Sequence, residues 1–454
     1  MRRIVFTVLI LVASLSATVI YVPADHATIQ AGIDAAVDGD IVLVQPGTYV
    51  ESINFNGKNI ELTSAEGATS TIIQSTSGDA VSTGATDSTA ALIGFTITST
   101  DLGINAGPGG STRFEDLIVQ NCGNRGINLN NYSGILKNIR FVDNESTGSG
   151  AGASITNNSD VIFINCIFSG NYAGIGGGDA GGGGINAITS SIVLENCLMF
   201  DNYCTMDGGG MAGTGTSVKI FNSTITKNSQ GNGRYGAGLA INGGNWEIIN
   251  TIVQGNYREG VATQIVMFSG STAVSHSCIG LSISDADTPN ELIYLWSGPG
   301  NINIDPLFVD TEAGDFRLSS QSVCLGNGID TTAVPSQDIV GEARPQPAGS
   351  SPDMGAYEHT RGRIPLAVPD RFSTIQAGID AAVDGDTVLV QPGTYVENLN
   401  ISDAAIVLTS TYITNQDTSI IPQTIIDGNL AGSVIELITN SEIVGFTIKS
   451  GSAN

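Results

Sequence analysis

The feature that most restricts the fold of this chain is a repeat of asparagines in its middle third. Five asparagines recur at intervals of 27, 31, 26 and 28 residues: Asn138, Asn165, Asn196, Asn222 and Asn250. A second asparagine follows each of them after six residues: Asn144, Asn171, Asn202, Asn228 and Asn256. Apolar side chains stand two residues before and three residues after each member of the first set. Such repeated units, with short strands between glycine turns, predict a solenoid in which each unit is one turn of a parallel β-helix.

Both asparagine sets are predicted to be structural. Asparagine tolerates the left-handed backbone of a tight bend, and its amide can hydrogen-bond to the equivalent amide one turn away. Glycine-rich runs at 182–184, 208–210 and 236–238 (the last is Gly-Ala-Gly) lead into the next strand of each turn. We therefore expect asparagine ladders along the helix, stabilised by turn-on-turn stacking.

The start of the repeat region is duplicated. Residues 22–51 recur at 368–397, with 25 of 30 positions identical. Each copy is predicted to open with a short helix, whose apolar face in the first copy is Ile29, Ile33 and Val37. In the second copy Ser373 and Gln376 have the spacing of a capping box. A helix before a stack of strands is expected to cap the open end of the solenoid.

The chain is divided accordingly. A basic start, an apolar run at 4–15 and small residues after it predict a secretory signal peptide at 1–17. About 12 apolar residues are too few for a membrane span, which needs about 20. We expect a β-helix domain at 18–360, a linker at 361–367 and the start of a second, truncated copy at 368–454. The predicted location is extracellular or on the outer cell surface, with no transmembrane segment in the mature chain.

Charge excludes one class of partner. The chain has 17 Lys+Arg against 43 Asp+Glu, a formal net charge of −26. Nucleic-acid binding requires clustered Lys and Arg, so no nucleic-acid partner is expected. The 41% hydrophobic and 13% charged content argues against a disordered chain. We expect a monomer.

The repeats also resemble a known family. FxxN at 141–144 and 168–171, alternating with GGGI and GGGM, resembles the repeats of chlamydial polymorphic outer-membrane proteins. The whole chain resembles right-handed parallel β-helix proteins of the pectate-lyase-like superfamily, and the motifs at 305–310, 314–318 and 353–358 resemble their usual end. The resemblance implies a right-handed parallel β-helix and is weak for activity. Cys324 stands where such proteins often have proline.

Catalytic residues stay unknown at this level. Resemblance to polygalacturonases would imply GHG and RIK signatures, but His26, His276 and His359 do not lie in a GHG, and no RIK occurs. Resemblance to pectate lyases would imply a calcium-binding Asp cluster and a base. The basic residues of the middle region are not expected to stack beside two or three acids on neighbouring turns.

A row of tyrosines is the strongest candidate binding surface. Tyr172, Tyr203 and Tyr257 each directly follow the second asparagine of a turn. Turns are about 4.8 Å apart, so Tyr172 and Tyr203 are expected to be neighbours, with Ser229 interrupting before Tyr257. Such a row could stack on sugar rings, with Arg258 as a further candidate. The alternative is an ordinary aromatic stack under a loop.

Six cysteines lack the spacing of a zinc site: Cys122, Cys166, Cys197, Cys204, Cys278 and Cys324. Cys166 and Cys197 share a column one turn apart, as buried thiols or as a disulfide, and the disulfide state of all six stays open. Asp38 and Asp40 read as turn residues rather than calcium ligands. No metal or cofactor is predicted, with calcium left open.

Two functions remain in different classes. The first is a non-enzymatic module that binds a polysaccharide or a cell-surface glycan, or that promotes adhesion. The second is a carbohydrate-active enzyme, above all a polysaccharide lyase. The first is favoured because no catalytic constellation can be assembled and because the fold does not specify the function.

Overall fold

The computed structural model describes residues 17–174, 181–231, 236–280, 298–319, 322–331, 334–346, 348–359, 366–382, 386–412 and 417–452. The predicted signal peptide and linker lie outside these residues, apart from Ala17, Leu366 and Ala367. No helix of the described residues is long and apolar enough to cross a membrane.

Parallel strands stacked turn on turn dominate the described residues from 17 to 280, which confirms the predicted all-β parallel β-helix. One pair in this range, Tyr257–Arg258 with Val261–Ala262, is antiparallel. The broad sheet of the described region has 18 strands, in two columns that merge in two long strands. The first column is Ile53–Asn54, Val81–Ser82, Ile104–Ala106, Ile127–Asn130, Ala153–Thr156, Ile185–Ile188 and Met211–Thr214. The second column is Val19–Val22, Ile41–Val44, Glu61–Ser64, Ala91–Ile93, Arg113–Glu115, Ser133–Lys137, Asp160–Ile164, Ser191–Glu195 and Ser217–Phe221. The merged strands are Leu239–Ile249 and Ile265–Ser275.

Two narrower sheets complete the turns. The second sheet has ten described strands: Gly47–Val50, Thr71–Ser75, Thr96–Ser99, Ile118–Gln120, Arg140–Val142, Ile167–Ser169, Leu198–Phe200, Thr224–Thr226, Ile252–Val253 and Cys278–Ile279. The third sheet has six: Glu145–Ser146, Tyr172–Ala173, Tyr203–Cys204, Ser229–Gln230, Tyr257–Arg258 and Val261–Ala262. The apolar side chains that flank the first asparagine set are all buried. Within this core the rings of Phe141 and Phe168 stack with centroids 4.8 Å apart.

The helix α1, Ile29–Ala35, covers the first turn. Ile29 and Ile33 are buried, but Val37 lies beyond the end of the helix and is 50% exposed, so its predicted place on the apolar face is wrong. Gly32 allows the close approach, because a Cβ there would lie 3.0 Å from Val22 and 3.1 Å from Val42.

The second copy repeats this arrangement with helix α2, Ile375–Asp380. Its N-cap is Thr374, whose Oγ1 accepts a hydrogen bond from the Ala377 N–H, and not Ser373 as the capping-box spacing predicted. The Glu397 carboxylate accepts from the first two helical N–H groups, both at 2.9 Å. A glutamate directly after the second strand that follows the helix therefore caps it, as Glu51 does in the first copy.

The described strands of the second copy again form parallel sheets. They are Leu366–Val368, Thr387–Val390, Val407–Ser410 and Glu442–Val444; Gly393–Val396, Thr424–Asp427 and Thr447–Lys449; and Leu399–Ile401 and Ile435–Leu437. A short 3-10 helix, Thr418–Gln423, lies between two of them.

The second asparagine set forms an inner ladder, defined as Asn144, Asn171, Asn202, Asn228 and Asn256. All five are completely buried. Each Nδ2 donates to the Oδ1 of the next member at 2.8–2.9 Å, as from Asn171 to Asn202. The ladder starts at the N–H of Cys122 and ends at the Oε1 of Gln264. These amides satisfy one another and the turn carbonyls, so the polar groups inside the helix remain hydrogen-bonded.

The first asparagine set forms the bend column, defined as Asn138, Asn165, Asn196, Asn222 and Asn250. All five have left-handed φ values between 45° and 55°. Direct amide bonds join neighbours from Asn138 to Asn196, and Asn250 to Asn222. The Nδ2 of Asn222 donates to the Asp353 carbonyl rather than to Asn196. The Nδ2 of Asn196 donates to the Gln337 carbonyl as well as to Asn165.

The segment that provides these carbonyls runs along the side of the helix. The described residues of 305–359, called the side segment, include an antiparallel hairpin of Phe308–Asp310 and Asp315–Leu318. It covers the outer face of the second sheet over the last turns, where Phe316 packs on Phe200 at 4.9 Å. The 353–358 motif holds it there, because the Gly355 N–H donates to the Asn250 carbonyl at 2.7 Å.

In three successive turns, the glycine directly before a strand of the first column packs against the inner ladder. At Gly210 a Cβ would lie 2.6 Å from the Gly238 carbonyl oxygen and 3.3 Å from the Asn228 amide. Gly184 and Gly152 are equivalent in the preceding turns. The glycine runs of the sequence therefore make room for the ladder.

Replacing Gly210 with alanine is expected to lower the free energy of unfolding by about 1–3 kcal/mol, because backbone and ladder must both shift. The matched control is Gly148→Ala, where the nearest atom to the added Cβ is the mobile end of Arg125 at 3.3 Å. Urea denaturation of both variants measures the difference. Equal losses for the two variants would show that glycine is not required by packing at Gly210.

Candidate functional site

The tyrosine row consists of Tyr172, Tyr203 and Tyr257 on the third sheet. Strand register pairs Tyr172 with Tyr203, Tyr203 with Ser229, and Ser229 with Tyr257. The rings of Tyr172 and Tyr203 are stacked, with centroids 5.0 Å apart and planes 7° from parallel. Tyr172 and Tyr257 are each 46% exposed, and Tyr203 is half-buried. An accessible pair of parallel, stacked rings thus lies on the outer face of the helix.

Small residues leave space for this pair. Tyr203 lies across its own sheet, and a Cβ added at Gly231 would clash with its hydroxyl oxygen. A Cβ added at Gly174, on the same turn as Tyr172, would only contact the Tyr172 ring, at 3.5 Å. Burial, followed by the charges of Tyr172, Cys204 and Glu259, raises the pKa of Tyr203. The hydroxyl is therefore neutral near pH 7 and is available as a hydrogen-bond donor.

The structure does not add Arg258 to this face. Successive residues of a strand point to opposite sides, and Arg258 is in register with Gln230, which is 2% exposed. Arg258 is itself half-buried. Because Arg258 lies on the opposite side of the strand from Tyr257, it is a weaker candidate for glycan binding than the sequence indicated.

A cavity of about 510 Å³ lies at the Tyr257 end of the row. Its walls come from the last turns and from the side segment, and they include Lys227, Gln254, Tyr257, Phe308 and Glu312. The volume lies within the range of small-molecule sites. The sequence did not indicate this cavity, because its two walls are far apart along the chain.

An open groove of about 550 Å³ lies beyond the other end of the row. Hydroxyl groups line it at Ser75, Thr98 and Ser99, and carboxylates line it at Asp143 and Glu145. Glu145 is in register with Tyr172 on the neighbouring strand. The groove, the tyrosine row and the cavity therefore follow one another along the helix.

Two bases lie beside pairs of acids. The Nζ of Lys227 lies 3.9 Å from Asp201 on the neighbouring turn and 3.5 Å from Glu312 of the side segment. Arg113 lies 3.7 Å from Glu61, two turns away, and 3.4 Å from Glu115 on its own strand. Both pairs differ from the arrangement considered in the sequence, which was a base beside two or three acids on neighbouring turns.

The cysteines are buried free thiols in the structure. Burial raises the pKa of Cys122 to about 12 and that of Cys204 to about 11. Cys166 and Cys197 donate to carbonyl oxygens of the preceding turns. Burial also raises the pKa of Cys197, so the thiols of Cys122, Cys197 and Cys204 are protonated near neutral pH and are poor nucleophiles.

Cys324 and Cys278 share a buried cluster with Leu318, Leu325 and Met354. Burial and the neighbouring Cys278 raise the pKa of Cys324 well above its usual range. Cys324, which stands where the similar proteins often have proline, thus packs its thiol against Cys278 in the last described strand of the second sheet.

The acidic turn residues act as hydrogen-bond acceptors. Asp40 accepts from the N–H groups of Val37 and Thr18, which lower its pKa in that order. Asp38 accepts from the Asn59 N–H at 2.9 Å. Within the described ranges, no group of three or more His, Cys, Asp or Glu side chains is placed to hold a metal ion.

Comparison with known proteins supports the fold. A family model described as a right-handed beta helix region matches residues 80–292. The parallel strands over this range are therefore those of a right-handed β-helix. No curated protein matches the chain.

Several solved structures are similar over much of the chain. Pectate lyase Pel9A is 14% identical, with 76% of this chain and 98% of that chain covered and a TM-score of 0.43. Pectin methylesterase from carrot is 13% identical, with coverages of 66% and 91% and a TM-score of 0.28. The PL6 family alginate lyase AlyGC is 12% identical, with coverages of 95% and 71% and a TM-score of 0.21. Likeness at this level carries no conclusion about activity.

Proposed function

We propose that this protein is a glycan-binding β-helix module that acts outside the cell and that uses the tyrosine row as its binding platform. The observation that carries the proposal is the parallel stack of Tyr172 and Tyr203 on an accessible face. Tyrosine offers a sugar ring an apolar face and a polar hydroxyl. Export by the 1–17 segment and the likeness of the repeats to polymorphic outer-membrane proteins belong to the same proposal.

The surroundings of the row support binding of a chain rather than of a single sugar. Polar groups suited to sugar hydroxyls line the groove at one end and the cavity at the other. Successive features are separated by whole turns of about 4.8 Å, so a linear polymer along the helix would contact all three. This arrangement needs no catalytic group.

The test is a glycan array probed with the full chain, followed by affinity measurement for the best ligand. The double variant Tyr172→Ala/Tyr203→Ala is expected to weaken binding at least about tenfold, which corresponds to about 1.4 kcal/mol. The control is Tyr21→Ala, which removes a tyrosine that is 44% exposed on the first strand. Unchanged affinity in the double variant, with the fold retained, would contradict the proposed platform.

The same samples test the enzymatic alternative. Incubation with calcium or with chelator, followed by absorbance of unsaturated sugars, detects lyase activity. We expect binding without turnover in both conditions. Calcium-dependent product formation would instead identify a polysaccharide lyase.

A further inference from the structure

Carboxylates lie at both ends of the tyrosine row. Glu145 is exposed and occupies the register position next to Tyr172. Glu259 is exposed two residues after Tyr257, and its charge reaches the hydroxyl of Tyr203, whose pKa it helps to raise. Four strand spacings separate the two ends, or about 19 Å at about 4.8 Å each. A polymer lying on the row would therefore meet an acid at each end.

Further carboxylates lie along the edge beside the row. Asp143 and Asp201 are exposed and lie two residues before Glu145 and Tyr203. Each occupies a left-handed bend, with φ of 51° and 53°. The Asp143 carboxylate lies over Gly170, where a Cβ would collide with it. These acids add to the negative charge on one side of the rings.

Two described cations near this edge, Lys227 and Arg125, are already engaged, and Arg258, directly after Tyr257, lies on the opposite side of its strand. The Nζ of Lys227 donates to the Thr311 carbonyl at 3.0 Å and contacts Asp201 and Glu312. Arg125 donates its Nε–H to the Ser149 carbonyl at 2.9 Å, and burial lowers its pKa. The described surface around the tyrosine row thus has an excess of negative charge.

We propose that the ligand is an amino-sugar polymer, with ammonium groups that contact these carboxylates, rather than a polyuronate. The inference rests on the proposed function, since it specifies the charge of the glycan that stacks on the tyrosine row. A polyuronate has a carboxylate on each sugar and is repelled by a surface of the same sign. An ammonium group within the Debye length of about 8 Å is attracted by Glu145 or Glu259.

The experiment compares three oligosaccharides of equal length with the full chain: glucosamine, N-acetylglucosamine and galacturonate oligomers. Titration calorimetry is done below the pKa of the amine, in low salt and at physiological ionic strength. Glucosamine oligomers are expected to bind most tightly and to lose affinity as salt is raised. Galacturonate oligomers are expected to bind least.

The double variant Glu145→Gln/Glu259→Gln separates charge from stacking. Its affinity for glucosamine oligomers is expected to fall about fivefold or more, with little change for N-acetylglucosamine oligomers. Glu66→Gln, at an exposed glutamate of an early turn, is the matched control and should change neither. Loss of the fold is detected by the urea midpoint of each variant.

The outcomes distinguish the two proposals. If galacturonate oligomers bind best, or if the glutamate variant leaves glucosamine binding unchanged, the charge inference is wrong and glycan binding stands. If glucosamine oligomers bind but the tyrosine double variant binds them equally well, the tyrosine platform is wrong. If no glycan of the array binds, both proposals fail.

Discussion

Replacing Asn202 with alanine is expected to lower the free energy of unfolding by more than about 3 kcal/mol. Its Nδ2 donates to the Phe168 carbonyl and to Asn228 Oδ1, both at 2.9 Å. Its Oδ1 accepts from the N–H and the Nδ2 of Asn171, at 3.2 and 2.8 Å. The variant removes these four hydrogen bonds, each worth about 0.5–1.5 kcal/mol net, and leaves a cavity beside the ladder. Asn228 Oδ1 keeps the N–H of residue 202 at 3.2 Å and Asn171 Nδ2 keeps the Phe141 carbonyl at 2.9 Å, whereas the buried N–H of Asn171 loses its side-chain acceptor.

The matched control is Asn124→Ala. Asn124 is exposed and donates its Nδ2 to Asp101 Oδ1 at 3.0 Å, where water can replace the side chain. We expect a change of less than about 1 kcal/mol for this variant. Urea denaturation of the full chain gives both values. A loss at Asn202 no larger than at Asn124 would mean that the inner ladder does not stabilise the helix.

Replacing Arg344 with methionine is expected to destabilise the side segment by about 3–5 kcal/mol. The side chains of Arg344 and Glu358 are fully buried, with Nε 3.2 Å from Oε2. Arg344 Nη1 also donates to the Gly355 carbonyl at 3.2 Å. The methionine fills much of the volume but leaves Glu358, Asp353 and Asp338 buried without a cation.

This loss should depend on pH. Burial, and then the charge of Glu358, raise the pKa of Asp353 to about 7, against an ordinary value of 3.8. Protonation therefore favours the folded state below about pH 7, and this contribution disappears as the pH rises through 7. Because Arg344 lowers the pKa of Asp353, removing it raises that pKa further, so the deficit of the variant should shrink in acid.

The control for this prediction is Arg317→Met in the same segment. Arg317 is 64% exposed in its side chain and donates Nε–H to Asp315 at 2.8 Å. Solvent screens this pair, so a loss of less than about 1 kcal/mol is expected. Hydrogen exchange of the side segment, at pH values on either side of 7, measures both variants. A deficit that is independent of pH would contradict the electrostatic explanation.

The sequence repeat alone predicts which residues lie next to each other on neighbouring turns. Parallel strands stack in register, so residues with the same offset from the asparagines occupy one column. That rule predicted that Tyr172 and Tyr203 would be neighbours and that Ser229 would separate them from Tyr257, as the register places them. It also placed Cys166 and Cys197 in one column, since the offset of each from its asparagine is the same.

No such rule predicts the contacts that form where the chain folds back on itself. Glu312 reaches Lys227, and Asp353 reaches Asn222, only because the side segment crosses the last turns. The cavity at Tyr257 forms between the same two parts.

The repeat and its offsets thus determined the architecture, the core columns and the tyrosine row, because each turn repeats the local environment of the one before it. The tertiary structure alone decided the charges around Lys227, the buried Arg344 network and the cavity at Tyr257. These depend on contacts between residues that are distant in the sequence, and no periodicity in the chain encodes where a segment outside the repeat will pack.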